Sequence, residues 1–405
     1  MDAAKPSLDI VRLLTDEHVL RALMRHRRLT RAELAADIGI SKPTAGESVR
    51  RLAERGLLVD TGERTQGGRG RGRVGSYYSL ATDIGTALAV SIAPEGVVAE
   101  RVDAYGDTVR RAERPARPDR VAEALREVAA EVSAPPQRIG TPEPHRHAEA
   151  PGRTDASDPH WHTEPARPPD PAEPSWHADL GGRPRLAVVS AADPVDRATG
   201  RLMHLPDSPF LVGELDPVEI LEAHVAGPVA VDNDVNWAAR AERASAGDEF
   251  AYLFLDRGLG CAIVGDGEVR RGSSGLAGEI AHLLTVGPDG RAAPFIEVFA
   301  QLGLRQQGST AIDVKRLLAA GESTREAIGR AVAGVVAAAI TLADPGRVVV
   351  GGSWGPALLA NIRSAVAELP RSATVEAATV ADQPSLAGAR AEAVERLRAA
   401  IARSS

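Results

Sequence analysis

The segment Gly227-Pro228-Val229-Ala230-Val231-Asp232-Asn233-Asp234-Val235-Asn236 decides how the chain is organised. Its apolar first part predicts a buried strand, and the polar part that follows centres on Asn233 and Asp234. In open α/β sheets, ligands bind in the crevice outside the carboxyl ends of the strands. An amide and a carboxylate at the end of a buried strand therefore predict a ligand pocket.

Composition limits what surrounds this pocket. A chain of 405 residues with 43% hydrophobic content is long enough for two or three domains with real cores. It has no run of about eighteen apolar residues and no signal-peptide pattern at its N-terminus, so we expect a cytoplasmic protein without a membrane partner. A single cysteine, Cys261, excludes a disulfide framework and a multi-thiolate metal site.

The charge is unevenly distributed along the chain. Residues 1–80 contain 15 Lys and Arg against 10 Asp and Glu, a local balance of +5, so the total of -7 leaves the other 325 residues at -12. A basic module thus precedes an acidic body, and nucleic acid is an expected partner for the first part only. Aromatic residues make up only 3% of the chain, which argues against a stacking platform for single strands.

The basic module has the pattern of a helix-turn-helix. Apolar spacing predicts a helix from about Leu13 to His26, and the Thr30-Arg31-Ala32-Glu33 capping box predicts the start of a second. Gly39 ends that helix, and Ser41 caps a third that ends near Arg55-Gly56. Two helices joined by a short turn that contains glycine are typical of DNA-binding proteins that read the major groove.

A wing follows the third helix. Residues 57–59 and 77–80 are predicted strands, and the Gly-rich loop between them carries basic side chains that suit backbone phosphates or a narrow minor groove. The alternative is a solvated hairpin on a small helical domain. The predicted contacts to double-stranded operator DNA are Ser41, Lys42, Thr44, Ser48, Arg50, Arg51, and on the wing Arg69, Arg71 and Arg73.

Residues 133–182 differ sharply in composition from the rest. They are rich in Pro, His, Asp, Glu and Arg and nearly free of aliphatic residues, so we predict a disordered insertion. Half of the ten histidines lie in it, and pairs of them could chelate a transition metal without selectivity. A plain solvated insertion is the preferred interpretation, and we assign no metal site and no cofactor.

On either side of this insertion, short β-rich runs alternate with helical ones, which predicts an α/β body. Its motifs are Asp193 to Asp196 with Thr199-Gly200, Val231 to Asn236, Gly258 to Gly260, Gly272 to His282, and Asp344 to Gly352. This ordered set resembles the ROK family, which includes sugar kinases and sugar-responsive transcriptional regulators with a winged helix in front.

The resemblance implies an α/β fold in which a winged helix-turn-helix (residues 1–80) precedes an actin-like, two-lobed ROK body. That body would comprise residues 81–132 and 183–405, with the sugar bound between its lobes. It also implies that Asn233, Asp234, Glu279, His282 and Glu297 bind the sugar, where carboxylates accept hydrogen bonds and amide or imidazole groups donate as well. Individually, these residues have alternatives as a helix cap, an exposed helical turn or a surface charge.

Two departures from the family bear on activity. Its kinases carry Asp-x-Gly-Gly-Thr in the first hairpin of the body, and Asp83-Ile84-Gly85-Thr86-Ala87, taken as the corresponding stretch, lacks the second glycine. The family's zinc site uses cysteines after its Glu-x-x-His motif, and the segment between Leu283 and Glu297 has none, so we expect no structural zinc.

We therefore predict a transcriptional regulator, preferably a repressor, that binds operator DNA as a homodimer or homotetramer and is not an enzyme. A sugar or sugar phosphate in the cleft would change lobe closure and the spacing of paired DNA-binding modules. The alternatives are an active ATP-dependent sugar kinase with a fused DNA-binding domain, and a regulator whose body is a dimerisation scaffold without ligand.

Overall fold

A computed structural model describes residues 8–65, 75–117, 119–134, 182–205, 212 and 214–403. These residues form an N-terminal winged-helix unit and a body of two lobes, each built on a five-stranded sheet. The predicted architecture, a winged helix-turn-helix before a two-lobed α/β body, is confirmed. Most of the predicted insertion, residues 135–181, lies outside the described residues, so its disorder and the exact domain limits remain predictions.

The winged-helix unit contains the three predicted helices and a three-stranded sheet in the order β1-β3-β2. Thr30 accepts from the backbone N–H of Glu33 (3.2 Å) and the Glu33 carboxylate accepts from the N–H of Thr30 (2.7 Å), so the capping box is confirmed. Gly39 then ends the helix at φ +70°, which only glycine adopts easily. The elements are α1 (Leu8–His26), β1 (Arg28–Thr30), α2 (Arg31–Asp37), α3 (Lys42–Glu54), β2 (Leu58–Arg64) and β3 (Ser76–Leu80).

The first lobe has a mixed sheet in the order β6-β5-β4-β7-β8. β4, β7 and β8 run parallel, whereas β5 and β6 are added as antiparallel strands at one edge. The carboxyl ends of the three parallel strands therefore meet at one side of the lobe. Its elements are β4 (Ala87–Ala93), β5 (Gly96–Val102), β6 (Thr108–Arg114), α4 (Val121–Ser133), β7 (Ala187–Ala191), α5 (Pro217–Glu222), β8 (Val229–Asn233) and α6 (Asp234–Ala246).

The second lobe repeats this plan with the order β11-β10-β9-β14-β15. A small hairpin, β12 with β13, lies against α9, where the Thr285 hydroxyl donates to the Ala331 carbonyl (2.5 Å). The elements are β9 (Phe250–Leu255), β10 (Leu259–Gly265), β11 (Glu268–Val269), β12 (Leu284–Val286), β13 (Ala292–Pro294), α7 (Phe295–Gln301), α8 (Val314–Leu318), α9 (Glu322–Ala343), β14 (Val348–Gly351), α10 (Leu359–Ala367), β15 (Val375–Ala377) and α11 (Pro384–Arg403).

Helix α9 is the one helix in the described part of the chain that is long and apolar enough to span a membrane. Half of its apolar stretch is buried inside the second lobe, including Ile328, Val332 and Val336. These side chains belong to the core cluster of the second lobe. The apolar character of α9 is thus that of a core helix.

The last helix, α11, returns to the first lobe and joins it to the winged-helix unit. Leu386, Leu397 and Ile401 of α11 share one buried cluster with Leu20 and Leu23 of α1. The same cluster includes residues of β4 and β7, so the core of the DNA-binding unit is continuous with that of the first lobe. A displacement of α11 would therefore be transmitted to α1 through close packing.

Candidate functional site

The face of α3 that would meet DNA is exposed and carries both basic and acidic side chains. Ser41 caps the helix by accepting from the backbone N–H of Thr44 (3.2 Å). Lys42, Thr44 and Arg50 are exposed, whereas the opposite face of the helix packs into the domain. Arg50 also pairs with Glu54 (2.7 Å) along the helix. The geometry is that of a recognition helix with its N-terminal turns free to enter a groove.

Two predicted DNA contacts instead hold the helices together. Ser48 is fully buried and donates to the carboxylate of Asp16 in α1, so it is removed from the set of exposed DNA contacts. Arg51 donates to the same carboxylate with two groups (2.6 and 3.1 Å). Because Asp16 is itself buried, this network fixes the recognition helix against α1. Sequence spacing did not reveal it, because Asp16 lies 32 residues before Ser48.

The base of the wing is closed. The N–H of Thr65 donates to the Gly75 carbonyl, and the N–H of Gly75 donates to the Thr65 hydroxyl, each at 2.9 Å. The wing arginines Arg69, Arg71 and Arg73 belong to residues 66–74, which lie outside the described part, and their contact with DNA remains a prediction.

A cavity of about 240 Å³ lies between the lobes. The first lobe contributes the carboxyl ends of β4 and β8 and the residues after β7, and the second contributes the β9–β10 turn and the loop that ends at Glu279. The N-terminal end of α11 completes the wall. The structure thus brings Asn233, Asp234 and Glu279 to one cleft, at the strand ends where a ligand site was predicted.

Asn233 and Asp234 start helix α6 at the floor of this cleft. The Asn233 side-chain oxygen accepts from the N–H of Val235 (3.0 Å), and its amide donates to the Asp193 carbonyl (3.3 Å). Asp234 retains some solvent exposure as a residue, but burial of its carboxyl, reinforced by Asp193, Glu279 and Asp256, raises its pKa to about 8. A carboxyl in that state can donate or accept a hydrogen bond at neutral pH.

Glu279 enters the cleft from the second lobe because the chain passes very close to β10. Gly278, at φ +97°, lies where any Cβ would be 1.8 Å from the Cys261 carbonyl oxygen, so only glycine fits. Burial, with a contribution from Asp193, raises the pKa of Glu279 to about 7. Glu279 and Asp234 therefore form a pair of weakly acidic carboxyls that suit hydroxyl groups of a ligand.

The other two predicted sugar-binding residues are not among the lining residues. His282 is exposed at the end of a short 3-10 helix (Ile280–His282). Glu297 is exposed on α7 and pairs with Arg305 (2.8 Å). The arrangement of the two lobes described here brings neither side chain to the cavity, and their sugar contact remains a prediction.

The hairpin that enters the cleft is not the one predicted from the sequence. The first hairpin of the body is β4–β5, whose turn contains Pro94 and Glu95 and lines the cavity. Residues 83–87 instead lead into the start of β4, at its other end, where Ile84 belongs to the same buried cluster as Leu80. Placing the phosphate turn at Asp83 to Ala87 was therefore wrong, because burial and strand register, not the Asp-x-Gly pattern, determine the hairpin.

Sequence reasoning missed three cleft residues, Glu95, Asp256 and Arg257. Arg257, in the β9–β10 turn, pairs with Glu95 across the cleft (3.1 Å), so an ion pair joins the two lobes. Asp256, beside it, accepts from the Arg257 backbone N–H (2.7 Å). The Glu95–Arg257 pair had no signal in the sequence, because its members are 162 residues apart.

A second connection between the lobes lies behind the cleft. Asp232 is buried, accepts from the Asn236 amide (2.7 Å) and forms an ion pair with Arg271 of the second lobe. Arg197 of the first lobe donates to the Gly272 carbonyl (2.9 Å). The strand end that carries Asn233 is thus tied to the loop before Glu279. In the described residues, no three His, Cys, Asp or Glu side chains are grouped to hold a metal ion.

Comparison with known sequences finds a family match in each part of the chain. Residues 180–298 match the ROK family, and residues 12–59 match the winged helix-turn-helix DNA-binding family. A curated relative, the bifunctional enzyme NanE/NanK of Brucella suis, is 28% identical over 192 residues, which are 44% of this chain and 36% of that protein. The glucokinase of Halalkalibacterium halodurans is 43% identical over 76 residues, 18% of this chain and 23% of that one. The chain thus spans about a third or less of these relatives.

Solved structures share the fold. A ROK family transcriptional regulator, described as a homologue of the E. coli MLC protein, superimposes with a TM-score of 0.58 over 98% of this chain and all of that one, at 16% identity. A ROK family glucokinase from Streptomyces griseus, in complex with glucose and AMPPNP, superimposes with a TM-score of 0.50. The superposition covers 76% of this chain and 99% of that one, at 20% identity.

Proposed function

We propose that this chain, in which a winged helix-turn-helix domain precedes a ROK family domain, is a cytoplasmic transcriptional regulator controlled by a sugar in the interlobe cleft. The observation that carries the proposal is the continuous core that joins α1, α11 and the first lobe. A DNA-binding unit built into the ligand-binding body can respond to the state of the cleft, whereas one on a free linker could not. We further propose that it acts as a homo-oligomer and represses transcription.

DNA binding is tested by fluorescence anisotropy with duplexes selected from a random library. Lys42→Ala with Arg50→Ala removes two exposed cations of the recognition helix, and we expect at least tenfold weaker binding. Lys315→Ala, an exposed lysine of the second lobe, is the matched control and should bind as the wild type does. Equal affinity in all three proteins would contradict the assignment of α3.

A route from the cleft to the DNA-binding unit supports control by ligand. Asp234 begins α6, which packs along α11, and α11 itself begins in the cleft wall at Pro384. Near its other end, Arg398 donates to the carbonyls of Ala104 (2.7 Å) and Tyr105 (3.1 Å). A ligand that shifts the start of either helix would thus move the segment that contacts the winged-helix unit.

That segment, residues 103–107, is bonded directly to the winged-helix unit. The Tyr105 hydroxyl accepts from the N–H of Leu80 (3.1 Å) and donates to the Arg27 carbonyl (3.3 Å). The Asp107 carboxylate accepts two hydrogen bonds from the Arg27 guanidinium (2.5 and 2.7 Å). These contacts join the body to the winged-helix unit at two points, the residue before β1 and the end of β3.

The kinase alternative meets a specific obstacle in the β4–β5 turn. A phosphate-binding turn presents backbone N–H groups and avoids negative charge. Pro94 has no N–H, and Glu95 adds a carboxylate that is already paired with Arg257. We therefore propose that the cleft does not transfer phosphate. ATP-dependent phosphorylation of a sugar panel tests this, and turnover that Asp234→Asn abolishes would establish a kinase.

The scaffold alternative is tested by ligand binding. A sugar that binds only the native protein raises its melting temperature by mass action. We expect at least one common hexose to stabilise the protein, and to lose that effect in Asp234→Asn. No stabilisation by any member of a broad sugar panel would favour a body that serves only in dimerisation.

A further inference from the structure

The charges in the cleft wall indicate which class of sugar it accepts. In the described part of the wall, the ionisable acids are Glu95, Asp234, Asp256 and Glu279, and the one basic side chain is Arg257. Arg257 lies 3.1 Å from Glu95 and is therefore already paired. Recognition of a phosphate group generally uses cations or free backbone N–H groups, and this wall has an excess of carboxyls.

Three other parts of the described wall are poorly suited to bind an anion. At the N-terminus of α6, the N–H of Val235 is used by Asn233, and the Asp234 carboxyl stands in the same turn. In the β9–β10 turn, the N–H of Arg257 donates to Asp256. The β4–β5 turn offers Pro94, which has no N–H to donate.

One feature favours an anion, and it is weaker than those opposing it. The N-terminus of α11 reaches the wall at Pro384 and Ser385 and contributes about half a positive charge. The four carboxyls of the wall oppose the binding of an anion. Two of them, Asp234 and Glu279, would have to stay protonated beside a phosphate, so binding of an anionic ligand would take up protons and weaken as pH rises.

We infer that the effector is an unphosphorylated sugar, and that Glu95 is the residue that excludes the phosphorylated forms by neutralising Arg257. The inference rests on the proposed function, because it names the ligand class of the same cleft. Hydroxyl groups suit the wall, since neutral and ionised carboxyls together supply both donors and acceptors. Without Glu95, the guanidinium of Arg257 would be free to pair with a phosphate.

The test uses isothermal titration calorimetry with the full-length protein and matched ligand pairs. The probes are glucose, mannose and N-acetylglucosamine, each compared with its 6-phosphate. For the wild type, we expect the binding sugar to bind at least tenfold more tightly than its phosphate. Glu95→Gln should improve the affinity for the phosphate relative to the neutral sugar by about five- to tenfold, as expected for removal of one nearby like charge.

Controls separate the possible failures. Glu326→Gln removes an exposed carboxylate from α9, away from the cleft wall, and should leave both affinities unchanged. Tighter binding of the phosphate by the wild type, or the same discrimination in Glu95→Gln, would overturn the inference while leaving a sugar-controlled regulator intact. Binding of neither member of any pair would overturn the proposed function and the inference with it.

Discussion

Replacing Asp234 with Asn should make the protein more stable at neutral and alkaline pH. The carboxyl has a pKa of about 8 in the folded protein against an ordinary value of 3.8, so the folded state holds a proton that the unfolded state releases. The contribution of this carboxyl to the free energy of unfolding is thus greatest below about pH 4. It falls as the pH rises from about 4 to 8 and does not change further above pH 8. One pKa unit corresponds to about 1.4 kcal/mol, so the loss at pH 7 is about 4 kcal/mol.

Urea unfolding between pH 5 and pH 9 measures this effect. Trp237 and Trp354 are buried, and Trp237 lies one turn from Asp234 on α6, so tryptophan fluorescence reports on unfolding of both lobes. The free energy of unfolding of the wild type should fall with pH, and that of Asp234→Asn should fall much less. Burial also raises the pKa of Glu279 to about 7, so the free energy of unfolding of the variant should still fall with pH, but less steeply.

The sign of the difference decides the outcome. We expect the variant to exceed the wild type by only about 1 to 2 kcal/mol near pH 5 and by about 4 to 5 kcal/mol at pH 8, since Asn imitates the protonated carboxyl. Glu326→Gln, on the exposed face of α9, should follow the wild-type curve. If the Asn variant were less stable than the wild type at pH 8, or lost stability with pH just as steeply, the burial argument for Asp234 would be refuted.

Three further predictions concern the wing, the cleft and the coupling. Replacing the three wing arginines together with alanine should weaken binding to all DNA sequences. The slope of log affinity against log salt concentration, measured by fluorescence anisotropy, should decrease by up to about three units. Gly278→Ala should abolish sugar binding in calorimetry, because its Cβ would overlap the Cys261 carbonyl and displace Glu279; Gly321→Ala, with open space at the Cβ position, is its control. Arg398→Ala should leave both sugar and DNA affinity measurable but reduce the effect of one on the other by at least half, as shown by DNA titrations with and without sugar. The replaced wing residues are Arg69, Arg71 and Arg73.

Local signals in the sequence were sufficient for much of the fold. The capping box at Thr30, the break at Gly39 and the cap at Ser41 each act within a few residues, so the helix-turn-helix could be predicted with nearly correct ends. The short strand β1 was missed, because three residues with one buried side chain carry no periodic pattern. Strand β6 was missed for a related reason, since it is an edge strand rich in charged residues.

The site was harder to predict because its parts come together only in the folded chain. Asn233, Asp234 and Glu279 were found through motifs, but Glu95 and Arg257 meet across two lobes. The phosphate turn was placed wrongly because a local Asp-x-Gly match at Asp83 lies before β4, whereas the turn that lines the cleft follows β4. The motif spacing identified candidate residues for the site. The pairing register of β4 with its neighbours was needed to show which turn of the first lobe enters the cleft.

The pairing of Ser48 with Asp16 illustrates the same limit within one domain. A serine near arginines on a recognition helix is typical of a phosphate contact. Its burial depends on α1 crossing α3 at that position, which no pattern within α3 specifies. The Arg51 side chain is directed to the same carboxylate, so two of the nine predicted DNA contacts serve the rigidity of the helix.

The most direct test of the account is the affinity for operator DNA measured with and without a saturating concentration of the sugar identified by calorimetry. We predict a change of at least fivefold for the wild type, equivalent to a coupling free energy of about 1 kcal/mol, and no change for Asp234→Asn. By linkage, DNA must alter the sugar affinity of the wild type by the same factor. An operator affinity that stays constant as the cleft fills would contradict the claim that this cleft controls DNA binding.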